Sequence, residues 1–200
     1  MIGLIDVNSG NLGSLISALE KLDVKFKICK NKEDLDGLSK ILLPGVGSYP
    51  NFIKNLKRQY LFSRIKEKVY LKETSIFGIC VGFQALFESS DELELTEGLG
   101  LIKGKVSKLG NSLVLPHIGW NSCKNFKQSR LFKNIDVGSD FYFCHSYVVK
   151  KVSDKIEISE TEYGEKFISS IEYENIFGVQ FHPEKSQING LSVLKNFCKL

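Results

Sequence analysis

Two short stretches bring residue types capable of covalent chemistry to the ends of apolar runs. Residues 74–84 read TSIFGICVGFQ. A strand pattern gives way to Gly-Ile-Cys-Val-Gly and then to a helical pattern, the cysteine form of a strand–nucleophile–helix elbow. A nucleophile on such a tight turn stands exposed above the sheet, and Gly78 and Gly82 remove side chains that would collide around it. The first turn of the helix faces the sulfur. Its dipole favours a thiolate and its free N–H groups favour an oxyanion. The N–H of Val81 is a candidate oxyanion donor. Alternatively, Cys80 is a buried cysteine at a strand end, a common place for an unpaired thiol.

Residues 176–186 read IFGVQFHPEKS. A strand ends at Phe181 and presents His182, Pro183 and Glu184. This spacing places His182 and Glu184 beyond the C-terminal edge of the sheet, where open α/β sheets form their sites. His182 could take the proton of Cys80, while Glu184 could orient the imidazole and stabilise its charged form. Alone, His182 reads as a loop cap. Two such arrangements at the ends of two core strands point instead to a Cys–His–Glu triad.

The elements that must position these groups are legible in the apolar pattern. Residues 2–6 form a short apolar strand. Residues 11–21 carry Leu12, Leu15, Ile16 and Leu19 at helical spacing. Residues 25–29 read as a strand, with Val24, Phe26 and Ile28 on one face. Residues 41–43 form a buried strand that stops at Pro44. Residues 49–71 read as one or two amphipathic helices, 76–79 as a buried strand, and 81–87 as the start of a helix. Uniformly apolar strands separated by helices predict a parallel sheet covered on both faces. After Leu99 the segments 100–109, 112–118, 140–143, 156–159, 166–171 and 176–181 read as short strands, several of them antiparallel. Residues 190–197 form a closing helix. The expected architecture is one α/β domain over residues 1–200. Its sheet is open, mixed and mostly parallel, with helices on both faces and antiparallel additions in the second half.

Composition excludes several classes. The chain has 200 residues, 42% hydrophobic and 25% charged, enough for a sizeable core and against disorder. No apolar run approaches the ~18 residues of a membrane span. The start, MIGLIDVNSG, lacks the basic region and cleavage site of a signal peptide, so a cytoplasmic protein is expected. Cys29, Cys80, Cys123, Cys144 and Cys198 are odd in number and widely spaced, which argues against a disulfide framework or a zinc site. Four of them, all but Cys80, read as packing residues. The net charge of +4 is modest. Its richest stretch, 54–72, reads as the solvated face of surface helices rather than a nucleic-acid patch.

Further motifs make the pattern familiar. GICVGFQ with FHPEKS resembles the class I (triad-type) glutamine amidotransferases. PGVGSY at 44–49, PHIGWN at 116–121, YFCHSY at 142–147 and SGNLGSL at 9–15 are similar to the family of glutaminase subunits of imidazole glycerol phosphate synthases. The resemblance covers essentially the whole chain. It implies a flavodoxin-like fold and no cofactor or metal. It also implies a glutaminase that forms a thioester on Cys80 and passes ammonia to a separate (β/α)8-barrel synthase.

The resemblance assigns further residues. The PGVG loop, with Gly45 and Gly47 around Val46, would supply a second oxyanion donor from the N–H of Val46. Gln84, Ser146 and Tyr147 would contact the bound glutamine. Glu92 would hold its α-amino group, unless the acidic run around it is simply a solvated loop. Asn11, Trp120, Asn121 and Tyr142 would face the partner, with Trp120 equally readable as a core residue. Lys185 would lie near the ammonia exit, or be an ordinary exposed lysine. His145 would make a structural hydrogen bond, and His117 would serve the interface.

Two departures stand out: DVNSGN where the family more often has a D-Y-G start, and Phe83 where methionine is common. They leave room for a paralogue that supplies ammonia to amino-sugar or amidino-sugar synthesis. A cysteine peptidase or chaperone-like protein would not need the His-Pro-Glu or PGVG strings. A non-enzymatic subunit would not need Cys80 or His182.

Overall fold

In a computed structural model, the structure describes residues 1–7, 12–110, 113–124, 126, 128–153 and 155–200. The first half lays down a parallel sheet. Strands β1 (Ile2–Ile5), β2 (Phe26–Cys29), β3 (Lys40–Gly45), β4 (Ser75–Cys80) and β13 (Ile176–Val179) run side by side in the order β2-β1-β3-β4-β13. Each adjacent pair in this set is parallel. β1, β4 and β13 are buried almost throughout, because covered parallel strands have no solvent face. Phe77 and Phe177 stack against Phe197 of helix α5 (Gln187–Lys199), with centroids 5.0 and 5.6 Å away. Their neighbours Gly78 and Gly178 meet the backbone and ring of Phe83 on the opposite face. Alternation along the strand thus puts one helix on each side of the triad-bearing strands.

Beyond β13 the next three strands pair antiparallel. β12 (Glu165–Tyr173), β10 (Tyr147–Val149) and β7 (Lys105–Lys108) follow in that order, and β11 (Glu157–Tyr163) pairs with β12. Two-residue strands β5 (Ser89–Ser90) and β6 (Thr96–Glu97) end the row. A separate hairpin-like pair, β8 (His117–Ser122) and β9 (Asp140–His145), carries the PHIGWN and YFCHSY strings. The mixed, largely parallel sheet with helices matches the expectation.

Several local expectations are sharpened or corrected. Residues 49–71 form two helices, α2 (Tyr49–Arg58) and α3 (Leu61–Tyr70), broken where Tyr60 takes a φ of +56°. Helix α1 spans Gly13–Lys21. The elbow helix α4 is only Val81–Gln84 and does not reach Phe87. Carbonyls of Ala85, Leu86 and Phe87 instead accept from the N–H groups of Leu99, Leu101 and Gly100. The 100–109 segment contributes only β7, and the 112–118 segment gives way to a strand that starts at His117. On edge strand β2, Ile28 is exposed while Cys29 turns inward, because only β1 pairs with that strand. In the basic stretch, Arg64 bridges Asp36 and Glu67, Lys68 meets Glu73, and Lys72 meets Glu174.

Candidate active site

The elbow is built by close approach. β4 ends at Cys80, whose φ of 54° and ψ of −110° are strained for a residue with a Cβ. The chain turns so sharply that a Cβ at Gly82 would lie 1.7 Å from the Leu43 carbonyl oxygen on β3. One at Gly78 would meet Gly82 and Phe83 backbone at 2.7 Å. The register of β3 on β4 sets Gly45 beside Cys80. The next residues, Val46 and Gly47, therefore hang over the thiol, and Gly47 takes a φ of +88°.

His182 arrives from the next strand. Its N–H donates to the Tyr142 carbonyl at 2.9 Å. Its Nδ1 lies 2.8 Å from Glu184 Oε1, and the ring shares a cavity lining with Cys80. Burial lowers the affinity of this imidazole for a proton. The adjacent Cys80 sulfur and Glu184 carboxylate outweigh that and raise its pKa above the ordinary value. Such a site favours the charged imidazolium. Ser186, which the sequence reading left without a role, locks the turn. Its hydroxyl donates to the His182 carbonyl at 2.6 Å and accepts from the Tyr142 N–H at 2.9 Å.

A cavity of about 290 Å³ opens on Cys80. It gathers His182, Val46, Gly47, Val81, Gln84, Glu92, Ser146, Tyr147 and Lys185, all named from sequence. A smaller cavity of about 30 Å³ behind it brings Gly45 and Glu184 to Val46 and His182. The larger one is also lined by Pro116, Cys144 and His145. Cys144 is exposed rather than packed, because Phe141, Phe143 and His145 take the inner face of β9 and leave it the outer one. Among the described residues, no group of three or more His, Cys, Asp or Glu is placed to hold a metal.

Glu92 does more than face the cavity. Its Oε2 accepts from the Tyr49 N–H at 3.0 Å, in the first turn of α2, where N–H groups lack helical partners. Burial pushes its pKa up, and that hydrogen bond opposes the rise.

Of the expected partner residues, Lys185 lines the cavity. Trp120 is 48% exposed and meets the Tyr142 ring edge-on at 6.1 Å, so it is not a core residue. Lys185 Nζ sits 5.7 Å from the centre of the same ring. Asn121 is half-buried, with its amide donating to the Glu162 carbonyl at 2.9 Å. Asn11 lies outside the described residues.

His117 and His145 form a buried relay. His145 Nδ1 lies 3.2 Å from the Tyr147 carbonyl, and His145 Nε2 lies 3.2 Å from His117 Nδ1. The carbonyl can only accept, so each neutral ring donates through Nδ1 and accepts through Nε2. His117, stacked between Phe143 and Tyr163, is thus held inside and not at the surface. Burial lowers the pKa values to about 4 for His117 and about 3 for His145. Both lie below the ordinary 6.5, so the unfolded chain binds protons first. The contribution of these two rings is therefore full above pH ~6.5 and falls as the pH drops toward ~4, at up to ~1.4 kcal/mol per pH unit for each ring. Denaturant unfolding across that window checks this, and His117→Phe, which keeps the ring stack, is expected to flatten the slope.

A strained elbow cysteine beside a His–Glu pair is the arrangement that thiol-dependent acyl transfer requires, and residues 3–200 match the family model described as Glutamine amidotransferase class-I. The chain belongs to that family. Its particular likeness is to one kind of subunit. It is 45% identical to the Imidazole glycerol phosphate synthase subunit HisH 1 of Campylobacter jejuni (strain RM1221), over 100% of both chains. The identity to subunit HisH of Methanocaldococcus jannaschii is also 45%, again over 100% of both. It is 41% to subunit HisH 2 of Vibrio vulnificus (strain YJ016), over 98% of this chain and 92% of that one. Among solved structures, one titled a crystal structure of glutamine amidotransferase superposes with a TM-score of 0.79 at 16% identity, covering 100% of this chain and 99% of that one. PurLQS from Thermotoga maritima follows at 0.76 and 20%, covering 99% and 97%. At those identities the likeness is one of fold.

Proposed function

We propose that the chain, as one domain over residues 1–200, is the glutaminase subunit of an imidazole glycerol phosphate synthase in histidine biosynthesis. The observation that carries the chemistry is that Cys80 and His182 line one cavity while Glu184 holds the far side of the imidazole. The full-length relatives favour this assignment over a paralogue feeding amino-sugar or amidino-sugar synthesis. The reaction suits the cytoplasm, where thiols stay reduced.

The Cys80 thiolate attacks the side-chain amide carbon of glutamine. Negative charge moves to the oxygen, which the N–H groups of Val81 and Val46 receive. His182 protonates the departing ammonia, leaving a thioester on Cys80. Water then attacks the thioester with His182 as base, and glutamate leaves. Gln84, Ser146, Tyr147 and the Gly45–Gly47 backbone hold the substrate. The free oxygen of Glu92 takes its α-ammonium. Ammonia passes to a (β/α)8 partner seated on Trp120, Tyr142 and Lys185. Direct transfer has a physical motive, because ammonia released to water becomes ammonium, which is not a nucleophile. The Gly residues flanking Val46 let that peptide rotate, so the partner's state can gate the oxyanion site.

The isolated chain is expected to hydrolyse glutamine slowly. Addition of its liganded synthase partner is expected to raise the rate by ~10²-fold. Peptidase activity without glutaminase activity in that complex would overturn the reading. Rescue of a histidine-requiring strain that lacks its own glutaminase subunit separates this assignment from the sugar-pathway paralogue.

A further inference from the structure

The mechanism leaves one buried polar group beside the nucleophile unused. Gln180, between β13 and His182, is fully buried. Its Nε2 donates toward the Cys80 sulfur at 3.8 Å, and its Oε1 accepts from Gln84 Nε2 at 3.0 Å. We propose that Gln180 is a further catalytic residue, whose carboxamide N–H stabilises the Cys80 thiolate in an orientation fixed by Gln84 and the Tyr147 carbonyl. The proposal rests on the reading of Cys80 as the nucleophile.

The orientation matters because a carboxamide has two ends of nearly equal shape and opposite polarity. Turned the other way, it would aim oxygen lone pairs at a thiolate. The main chain excludes that. Gln84 Nε2 also lies 2.8 Å from the Tyr147 carbonyl oxygen, which can only accept, so the NH₂ end of Gln84 must lie there. The second N–H of that group then faces Gln180, whose near end must be its oxygen. The NH₂ of Gln180 is left pointing at Cys80. A carbonyl that cannot flip thus sets the polarity of two side chains in series. The same chain commits both N–H groups of Gln84, leaving only its oxygen for a ligand in the cavity.

The interaction strengthens as charge develops on sulfur, because hydrogen bonds to ions are stronger than neutral ones and burial excludes competing water. Gln180→Met removes the donor without adding a charge. Gln84→Met leaves Gln180 in place but frees it to turn.

The test is the pH dependence of iodoacetamide alkylation of the full-length chain, followed at the Cys80 peptide so that exposed Cys144 does not interfere. It reads the thiolate without glutamine turnover, so it stands or falls separately from the glutaminase reading. Gln180→Met is expected to move the midpoint up by about one to two pH units. In the partner complex, kcat for glutamine is expected to drop about tenfold or more with KM little changed. Gln84→Met is expected to give a smaller shift in the same direction, and carries the test should Gln180→Met fail to fold. An unchanged midpoint in the folded variants would overturn the proposal.

Discussion

Cys80→Ala is expected to abolish glutamine hydrolysis, by ~10⁴-fold or more, while its complex with the synthase partner still makes product from added ammonium salt. The loss is chemical. The thiol is the only group at the elbow able to form the acyl intermediate, whereas the ammonia-using half of the reaction lies on the partner. Glutamine use retained by the mutant complex would remove Cys80 from the mechanism. The elbow adds a second expectation. At a φ of 54° and ψ of −110°, a side chain with a Cβ costs ~1–3 kcal/mol, and a glycine there gives back only ~0.5–1 kcal/mol in chain entropy. Cys80→Gly should therefore be as inactive as Cys80→Ala yet more stable, by ~1 kcal/mol. Denaturant midpoints of the two variants decide it. A more stable alanine variant would mean that the turn stores no strain. The wild-type chain tolerates the strain because a nucleophile must stand clear of the sheet edge.

Gly82→Ala is expected to be the most damaging single methyl in the molecule. The added carbon would sit 1.7 Å from the Leu43 carbonyl oxygen. That oxygen cannot retreat, because Leu43 pairs with Gly78 in a strand held between β1 and β4. The elbow helix must move instead, taking the Cys80 turn with it. The expected cost is ~3 kcal/mol or more, with loss of glutaminase activity even in the fraction that folds. Gly47→Ala is the control. Gly47 has open space around it but a φ of +88°, so the change should cost only the ~1–2 kcal/mol of a left-handed residue. Equal denaturant midpoints for Gly82→Ala and the wild type would show that β3 and the elbow are not in contact.

The catalytic constellation was readable because it is written locally. Gly-x-Cys-x-Gly after an apolar run is what a strand-to-helix turn around a thiol requires, and His-Pro-Glu after another run marks a second strand end. The covered parallel sheet was readable for a similar reason, since buried strands must be uniformly apolar. What escaped was set by distant neighbours. Gln180 sits inside a quoted string, yet its role depends on Gln84 and the Tyr147 carbonyl. Cys144 looked like filler until the pairing of β9 turned it outward. The short elbow helix stops where residues from 99 onward donate to the carbonyls of residues 85–87, partners that no window around residue 85 contains.

Sequence alone determined the chemical types and their strand-end placement: a thiol at an elbow, an imidazole with its carboxylate two residues on, and flexible glycines in the loop at 44–47. These follow from steric and hydrogen-bonding rules that act over a few residues. Only the tertiary structure decided that β3, β4 and β13 are neighbours, which sets Val46, Cys80 and His182 around one cavity. It also decided that two carboxamides in series point a donor at the sulfur, and that His117 and His145 stay neutral inside. Strand order and burial come from how the whole apolar surface is removed from water at once, and no short stretch of residues carries that information.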